Sequence, residues 1–151
     1  MIEEKCRKEA TMATLGNPKN TIEILNKYQF IFQKRFGQNF LIDTHVLEKI
    51  IKSAEITKED VVLEIGPGIG TMTQYLCENA KEVIAVEIDK NLIPILENDT
   101  LAEYDNVTII NEDILKVDIK KLAEDLKSLA VFRCILEDEA VKAFINLCCE
   151  K

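Results

Sequence analysis

The chain has 151 residues, 47% of them hydrophobic and 30% charged, with only five Gly and three Pro. That is enough for one domain with a real core, and it excludes a disordered, collagen-like or low-complexity chain. The net charge of −8 is uneven: residues 1–40 carry seven Lys and Arg against four Asp and Glu, residues 41–151 twelve against twenty-three. An acidic body with a basic arm lacks the footprint of a general nucleic-acid binder, so any polyanion contact is expected on the arm.

Residues 1–19 read as a polar N-terminal extension. Asn20, with Glu23 three residues on, reads as the cap of a short amphipathic helix carrying Ile22, Ile24, Leu25 and Tyr28. An aromatic and basic stretch, residues 30–41, follows and is broken at Gly37. Phe30, Phe32, Phe36 and Phe40 in it are expected mostly to be core. Asp43 caps a second helix to about Ala54, with Val46, Leu47, Ile50 and Ile51 on one face.

At Val61 the period changes. Val61-Val-Leu-Glu-Ile65 is a short apolar run, and a helix is expected from Thr71 to about Glu78. Residues 83–87 form a second buried strand, and Asp89 opens a helix to about Glu97. Residues 107–110 form a third strand, followed by a helix from Val117 to about Leu129. Residues 130–136 suit a fourth strand, and a helix is expected from Asp138 to about Cys149. Alternation of near-continuous apolar strands with helices predicts an α/β fold, a parallel sheet covered on both faces.

No run approaches 18 apolar residues, so no membrane span is expected. The opening MIEEKCRKEA has no apolar stretch of the secretory type. Five scattered cysteines suit reduced thiols in a cytoplasmic protein, and with no C-x-x-C pair and a single histidine, His45, no zinc site is expected.

The chemistry-bearing motif is Glu64-Ile-Gly-Pro-Gly-Ile-Gly70, between a strand and a helix. Its glycines allow a sharp turn and close approach of backbone to a ligand, and the helix start offers free N–H groups. Glu87 ends the next strand, twenty-one residues after Gly66, where a carboxylate can accept both hydroxyls of a ribose. Asp113, after the third strand, can accept an adenine amino group, or simply cap a turn. A dinucleotide site would need G-x-G-x-x-G, whereas this loop is G-x-G-x-G followed by Thr71.

Lys34-Arg-Phe-Gly-Gln-Asn-Phe-Leu41, Glu64-Ile-Gly-Pro-Gly68, Val86-Glu-Ile-Asp89 and Glu112-Asp-Ile114 together resemble the ribosomal RNA adenine N6-dimethyltransferases, over about residues 12–125. The bacterial small-subunit branch is the nearest in pattern. The resemblance implies a Rossmann-like class I S-adenosylmethionine methyltransferase fold, here truncated to three or four parallel strands. It implies S-adenosyl-L-methionine as cofactor, small-subunit ribosomal RNA as partner and residues 20–151 as a partial catalytic domain. Residue by residue, it implies that Asn39 and Leu41 border the methionine end of the cofactor and that Gly66 lies under it. Glu87 would take the ribose, Asp113 the adenine amino group, Gln38 and Phe40 the lid, and Lys34 and Arg35 RNA phosphate.

The family's catalytic motif, Asn-Leu/Ile-Pro-Tyr/Phe, should end the fourth strand near residue 135. The chain has Phe132-Arg-Cys-Ile-Leu-Glu-Asp138 there, and no resemblance is read beyond about residue 126. The catalytic residues are therefore unassigned. A truncated form of the enzyme is expected, inactive alone, with a non-catalytic S-adenosylmethionine-binding module as the alternative.

Overall fold

The structure, a computed structural model, describes residues 15–33, 43–119, 121 and 122, together with the backbone of 133–135. Its elements in chain order are α1 (Pro18–Lys27), α2 (Thr44–Ser53), β1 (Val61–Ile65), α3 (Thr71–Asn79) and β2 (Glu82–Glu87). Then come α4 (Ile93–Ile95), which runs into a π-helical turn (Leu96–Thr100), β3 (Val107–Asn111), a 3₁₀ turn (Ile114–Lys116) and β4 (Arg133–Ile135).

The four strands form one parallel sheet in the order β3-β2-β1-β4. Val62 lies opposite Val83, and Val83 opposite Val107, so β1, β2 and β3 are in the adjacent parallel arrangement that the sequence predicts. β4 occupies the middle of the predicted fourth strand and pairs with β1, Leu63 opposite Cys134. The strand order reverses between β1 and β4, which opens the crevice of a doubly wound sheet at their carboxyl ends.

Alternating side chains divide the core between the two faces. Val62 and Val83 pack with Leu47 and Ile51 of α2 and with Met72, Tyr75 and Leu76 of α3. On the other face Val61, Leu63, Ile84 and Val86 are covered by Ile110, Ile114, Val117, Ile119 and Leu122. Each such large apolar side chain contributes roughly 1.5–3 kcal/mol on full burial. A third cluster, Leu15, Ile69, Leu92 and Ile95, is closed by Ile24, Leu25, Tyr28 and Phe30, so α1 packs against the loop that contains Ile69.

Several local expectations are corrected. The cap of α1 is Asn17, not Asn20: its side chain accepts from the Lys19 N–H, and Pro18 supplies a first-turn residue that needs no donor. Asp43 does cap α2, accepting from the N–H groups of His45 and Val46. On that helix Leu47 and Ile51 are buried while Val46 is 41% exposed, because the apolar face is narrower than its sequence spacing suggests. Asp89 accepts from the Asn91 N–H and caps only a turn; α4 begins at Ile93 and widens into the π turn, where Leu101 N–H reaches back to Leu96. The helix expected from Val117 begins at residue 119, behind Asp118, and most of it lies outside the described residues, as does the helix expected over 138–149. Leu15 and Gly16 are buried: a Cβ on Gly16 would come within 2.6 Å of Thr44 Cγ2.

Candidate functional site

The loop from β1 to α3 turns on three glycines in the left-handed region, Gly66, Gly68 and Gly70, at φ +73°, +62° and +90°. Gly66 N–H donates to the Val86 carbonyl and Gly70 N–H to the Pro67 carbonyl, which anchors the loop at both ends. A Cβ on Gly66 would meet nothing within 4 Å, so that side of the loop faces open space. A Cβ on Gly70 would lie 3.1 Å from Leu96 Cδ2 and from Thr100 Oγ1, so that side is filled by the π turn. α3 starts directly at Gly70 with no side-chain cap, and the first N–H groups of a helix have no partner within it.

Glu87 closes the site from β2. It is 4% exposed; Oε2 accepts from Gly68 N–H at 3.1 Å and Oε1 from Asp89 N–H at 2.8 Å. A carboxylate has about four acceptor sites, so each oxygen keeps one for a ligand. Burial raises the Glu87 carboxyl above its usual range, the Asp89 and Gly68 N–H donors hold it back, and the Asp89 charge adds to the rise. Asn111 Nδ2 and Glu112 N–H both donate to the Glu87 carbonyl, which fixes the end of the strand. Asp113 lies half-buried beyond β3 and Oδ1 accepts from Leu115 N–H, so it does cap the 3₁₀ turn. Its role as a cap does not use up the carboxylate.

Gly66, Glu87 and Asp113 thus stand at the carboxyl ends of β1, β2 and β3. Asn39 and Leu41 lie outside the described residues, as do Lys34, Arg35, Gln38, Phe36 and Phe40. Of the other two aromatic residues, Phe30 is partly buried against α1's cluster and Phe32 is 51% exposed.

Four features around the site carry no role in the sequence reading. Glu64 shares the α3-facing side of the sheet with Val62 and is buried, and its Oε2 has no hydrogen-bond partner among the described residues. Thr71 Oγ1 and Thr73 Oγ1, both in the first turn of α3, are likewise buried and unpartnered among the described residues. Burial above all pushes the Glu64 carboxyl up to about 7, and the Glu87 charge raises it further. An acid inside the apolar run Val61–Ile65 is the signal that could have revealed it. Ile88, directly after Glu87, is 49% exposed. Gln74 is buried and bridges Leu15 and Thr100, a connection with no signature in sequence.

The cysteine at hand is not a nucleophile: burial above all raises the Cys77 thiol to about 12. Among the described residues no three His, Cys, Asp or Glu side chains converge as metal ligands, and no helix is long and apolar enough to cross a membrane.

Known proteins share this arrangement. Ribosomal RNA small subunit methyltransferase A of Lachnoclostridium phytofermentans is 82% identical over 114 residues, 76% of this chain and 39% of that protein. The protein of the same name from Alkaliphilus metalliredigens is 54% identical over 136 residues, 90% of this chain and 44% of its own length. The chain therefore spans less than half of the relatives it matches. Among solved structures, the 23S rRNA methyltransferase ErmE superposes with a TM-score of 0.58 at 28% identity, covering 74% of this chain and 43% of that one. A dimethyladenosine transferase from Plasmodium falciparum gives 0.55 at 28% identity, covering 69% and 36%. The sheet with its glycine loop is thus the Rossmann-like class I methyltransferase fold. The model of the ribosomal RNA adenine dimethylase family matches residues 29–145, beyond residue 125 and through β4. With the family pattern running through the loop, Glu87 and Asp113 alike, the chain belongs to the ribosomal RNA adenine dimethylase family.

Proposed function

We propose that this chain carries the cofactor-binding half of an S-adenosylmethionine-dependent small-subunit rRNA (adenine-N6,N6)-dimethyltransferase. The observation that carries the reading is the open left-handed loop at Gly66, flanked by a buried carboxylate on the neighbouring strand. The residues present fit the cofactor. Glu87 has one acceptor site left on each oxygen for the two ribose hydroxyls, and Gly66 leaves room where any side chain would intrude. Asp113 would accept from the adenine amino group, and exposed Ile88 offers an apolar surface to the base. The unpartnered N–H groups at the start of α3 would take the carboxylate of the methionine portion. Asn39 and Leu41 would border that portion, with Gln38 and Phe40 over it and Lys34 and Arg35 toward RNA phosphate.

When bound, the cofactor supplies a methyl group on a sulfonium for transfer to an adenine amine. What the chain's own residues do is hold that group in place, because alignment with the attacking nitrogen governs the rate. The base-holding half is another matter. β4 stands beside β1, where the family's Asn-Leu/Ile-Pro-Tyr/Phe motif would follow, but Phe132-Arg-Cys-Ile-Leu-Glu-Asp138 supplies no amide to orient the amine and no Pro-aromatic pair. Ionised Glu137 and Asp138 could not donate a hydrogen bond. That sequence favours the second reading for the isolated chain, a non-catalytic S-adenosylmethionine-binding module.

Calorimetry with S-adenosylhomocysteine, with NAD as control, tests the cofactor assignment. Tritiated methyl transfer to unmethylated small-subunit rRNA tests catalysis. Binding of S-adenosylhomocysteine without dimethyladenosine formation is expected; binding of NAD alone would overturn the reading. Robust methylation would show a catalytic constellation other than the family motif.

A further inference from the structure

The Gln74 amide ties three elements together. Its Oε1 accepts from Leu15 N–H at 3.1 Å, and its Nε2 donates to the Thr100 carbonyl at 2.8 Å. Leu15 in turn accepts at its carbonyl from Thr21 Oγ1 of α1, at 2.9 Å. Leu15 is 2% exposed and packs with Ile69, inside the glycine loop, and with Leu92 and Ile95. Thr100 ends the π turn, and its Oγ1 stands 3.1 Å from where a Cβ on Gly70 would be. The Thr100 carbonyl belongs to a helix terminus whose last carbonyls lack partners within the helix. Gln74 therefore supplies that carbonyl's donor while it secures the chain ahead of α1. A second tie, the ion pair of Lys27 with Asp99, joins the end of α1 to the same π turn.

From this we infer that Gln74 is a positioning residue for cofactor binding: through its amide the segment Leu15–Thr21 and the π turn together hold the glycine loop in its ligand-ready shape. This rests on the cofactor reading above. Gln74 itself lies in the first turns of α3 and does not touch the open side of the loop at Gly66. It acts on Gly70 and Ile69 from behind. Without this backing, a loop held by Gly66 on Val86 and by Glu87 on Gly68 would sample closed shapes more often, and affinity would fall by the fraction of time lost.

The test is S-adenosylhomocysteine binding by calorimetry on the full chain, alongside thermal unfolding. Gln74→Leu keeps the volume and removes both hydrogen bonds. Gln74→Glu keeps the acceptor for Leu15 and loses the donor to Thr100. Thr21→Val removes only the outermost link. The double variant Lys58→Met/Asn106→Ala removes both donors to the Cys77 and Ala80 carbonyls at the far end of the same helix, and serves as the stability-loss control. The expected result is about tenfold weaker binding in Gln74→Leu, a smaller loss in Gln74→Glu and Thr21→Val, and unchanged affinity in Lys58→Met/Asn106→Ala despite its lowered melting temperature. Should Gln74→Leu not fold, Gln74→Glu and Thr21→Val carry the comparison. Wild-type affinity in the Gln74 variants, or an equal loss in Lys58→Met/Asn106→Ala, would overturn the inference while leaving the cofactor site intact. Failure of the unaltered chain to bind S-adenosylhomocysteine would remove the cofactor reading and this inference with it.

Discussion

The two ends of α3 differ in how their polar atoms are satisfied. At the C-terminal end, the Cys77 and Ala80 carbonyls accept from Lys58 Nζ at 3.2 and 3.0 Å and from Asn106 Nδ2 at 2.8 and 3.4 Å. A lysine ammonium there also complements the negative end of the helix dipole. At the N-terminal end the helix leaves a left-handed glycine without a side-chain cap, and Glu64 Oε2, Thr71 Oγ1 and Thr73 Oγ1 are buried without partners among the described residues. Unpaired buried polar atoms cost stability, so a fold retains them where something else uses them. The saturated end reads as scaffold; the unsaturated end is where the proposed cofactor site lies.

The sharpest way to probe that contrast is the pH dependence of stability. A carboxyl raised in the folded state to about 7 from an ordinary 4.5 means that the folded chain holds a proton that the unfolded chain has released. Stability from Glu64 is then full below about pH 4.5 and is lost as pH rises through 7. The shift corresponds to about 3 kcal/mol. Urea unfolding from pH 5 to 8 should show this decline in the unaltered chain, with Glu87, also raised, adding to it in the same direction. Glu64→Gln should remove most of the slope. A slope unchanged in that variant would mean that Glu64 keeps its charge when buried.

Next comes the loop itself. Gly70→Ala should destabilise by about 2–3 kcal/mol, from the left-handed backbone and the crowding by Leu96 and Thr100. Gly66→Ala meets no atom of the protein, so it should cost stability only through its φ while weakening S-adenosylhomocysteine binding. Equal thermal losses in the two variants would erase the distinction between the filled and open sides of the loop.

Glu87→Ala should weaken S-adenosylhomocysteine binding by about 2 kcal/mol, as for hydrogen bonds to a charged acceptor. Asp113→Ala should cost less, since that carboxylate is half-exposed and caps a turn. A titration in which Asp113→Ala is the worse variant would reverse the two assigned roles.

Much of this was legible in sequence because it rests on short-range rules. Apolar strand runs, the period change at Val61 and the glycine spacing located β1, β2, β3 and the loop to within a residue or two. Asp43 announced its helix by side-chain chemistry alone. Asn20 with Glu23 has the pattern of a capping box, whereas Pro18 after Asn17 fixes the helix start earlier. The π turn was hidden because nothing local distinguishes Leu96–Thr100 from an α-helix; packing on Gly70 and the Gln74 bond accompany it. Asp89 and Glu87 look alike as strand-end acids, and only the backbone donors around them separate a turn cap from a loop anchor. Long-range partners such as Leu15 with Gln74, 59 residues apart, leave no trace in any window of sequence.

The smallest effect concerns the saturated end. Lys58 and Asn106 donate to the same two carbonyls, and a carbonyl oxygen has two lone pairs. When either donor is removed, the other still satisfies both carbonyls, so Lys58→Met and Asn106→Ala should each cost only about 1 kcal/mol. When both are removed, the carbonyls of a part-buried helix end are left without protein donors. The double variant should therefore lose more than the sum of the single losses, by about 0.5–1 kcal/mol. S-adenosylhomocysteine affinity should be unchanged in all three, because Gly66, Glu87 and the first turn of α3 stand at the opposite end of the helix. Urea unfolding of the four proteins in the cycle measures the coupling, and calorimetry measures the affinity. Simple additivity would mean that water already serves these carbonyls, and a change in affinity would mean that the two ends of α3 are not independent.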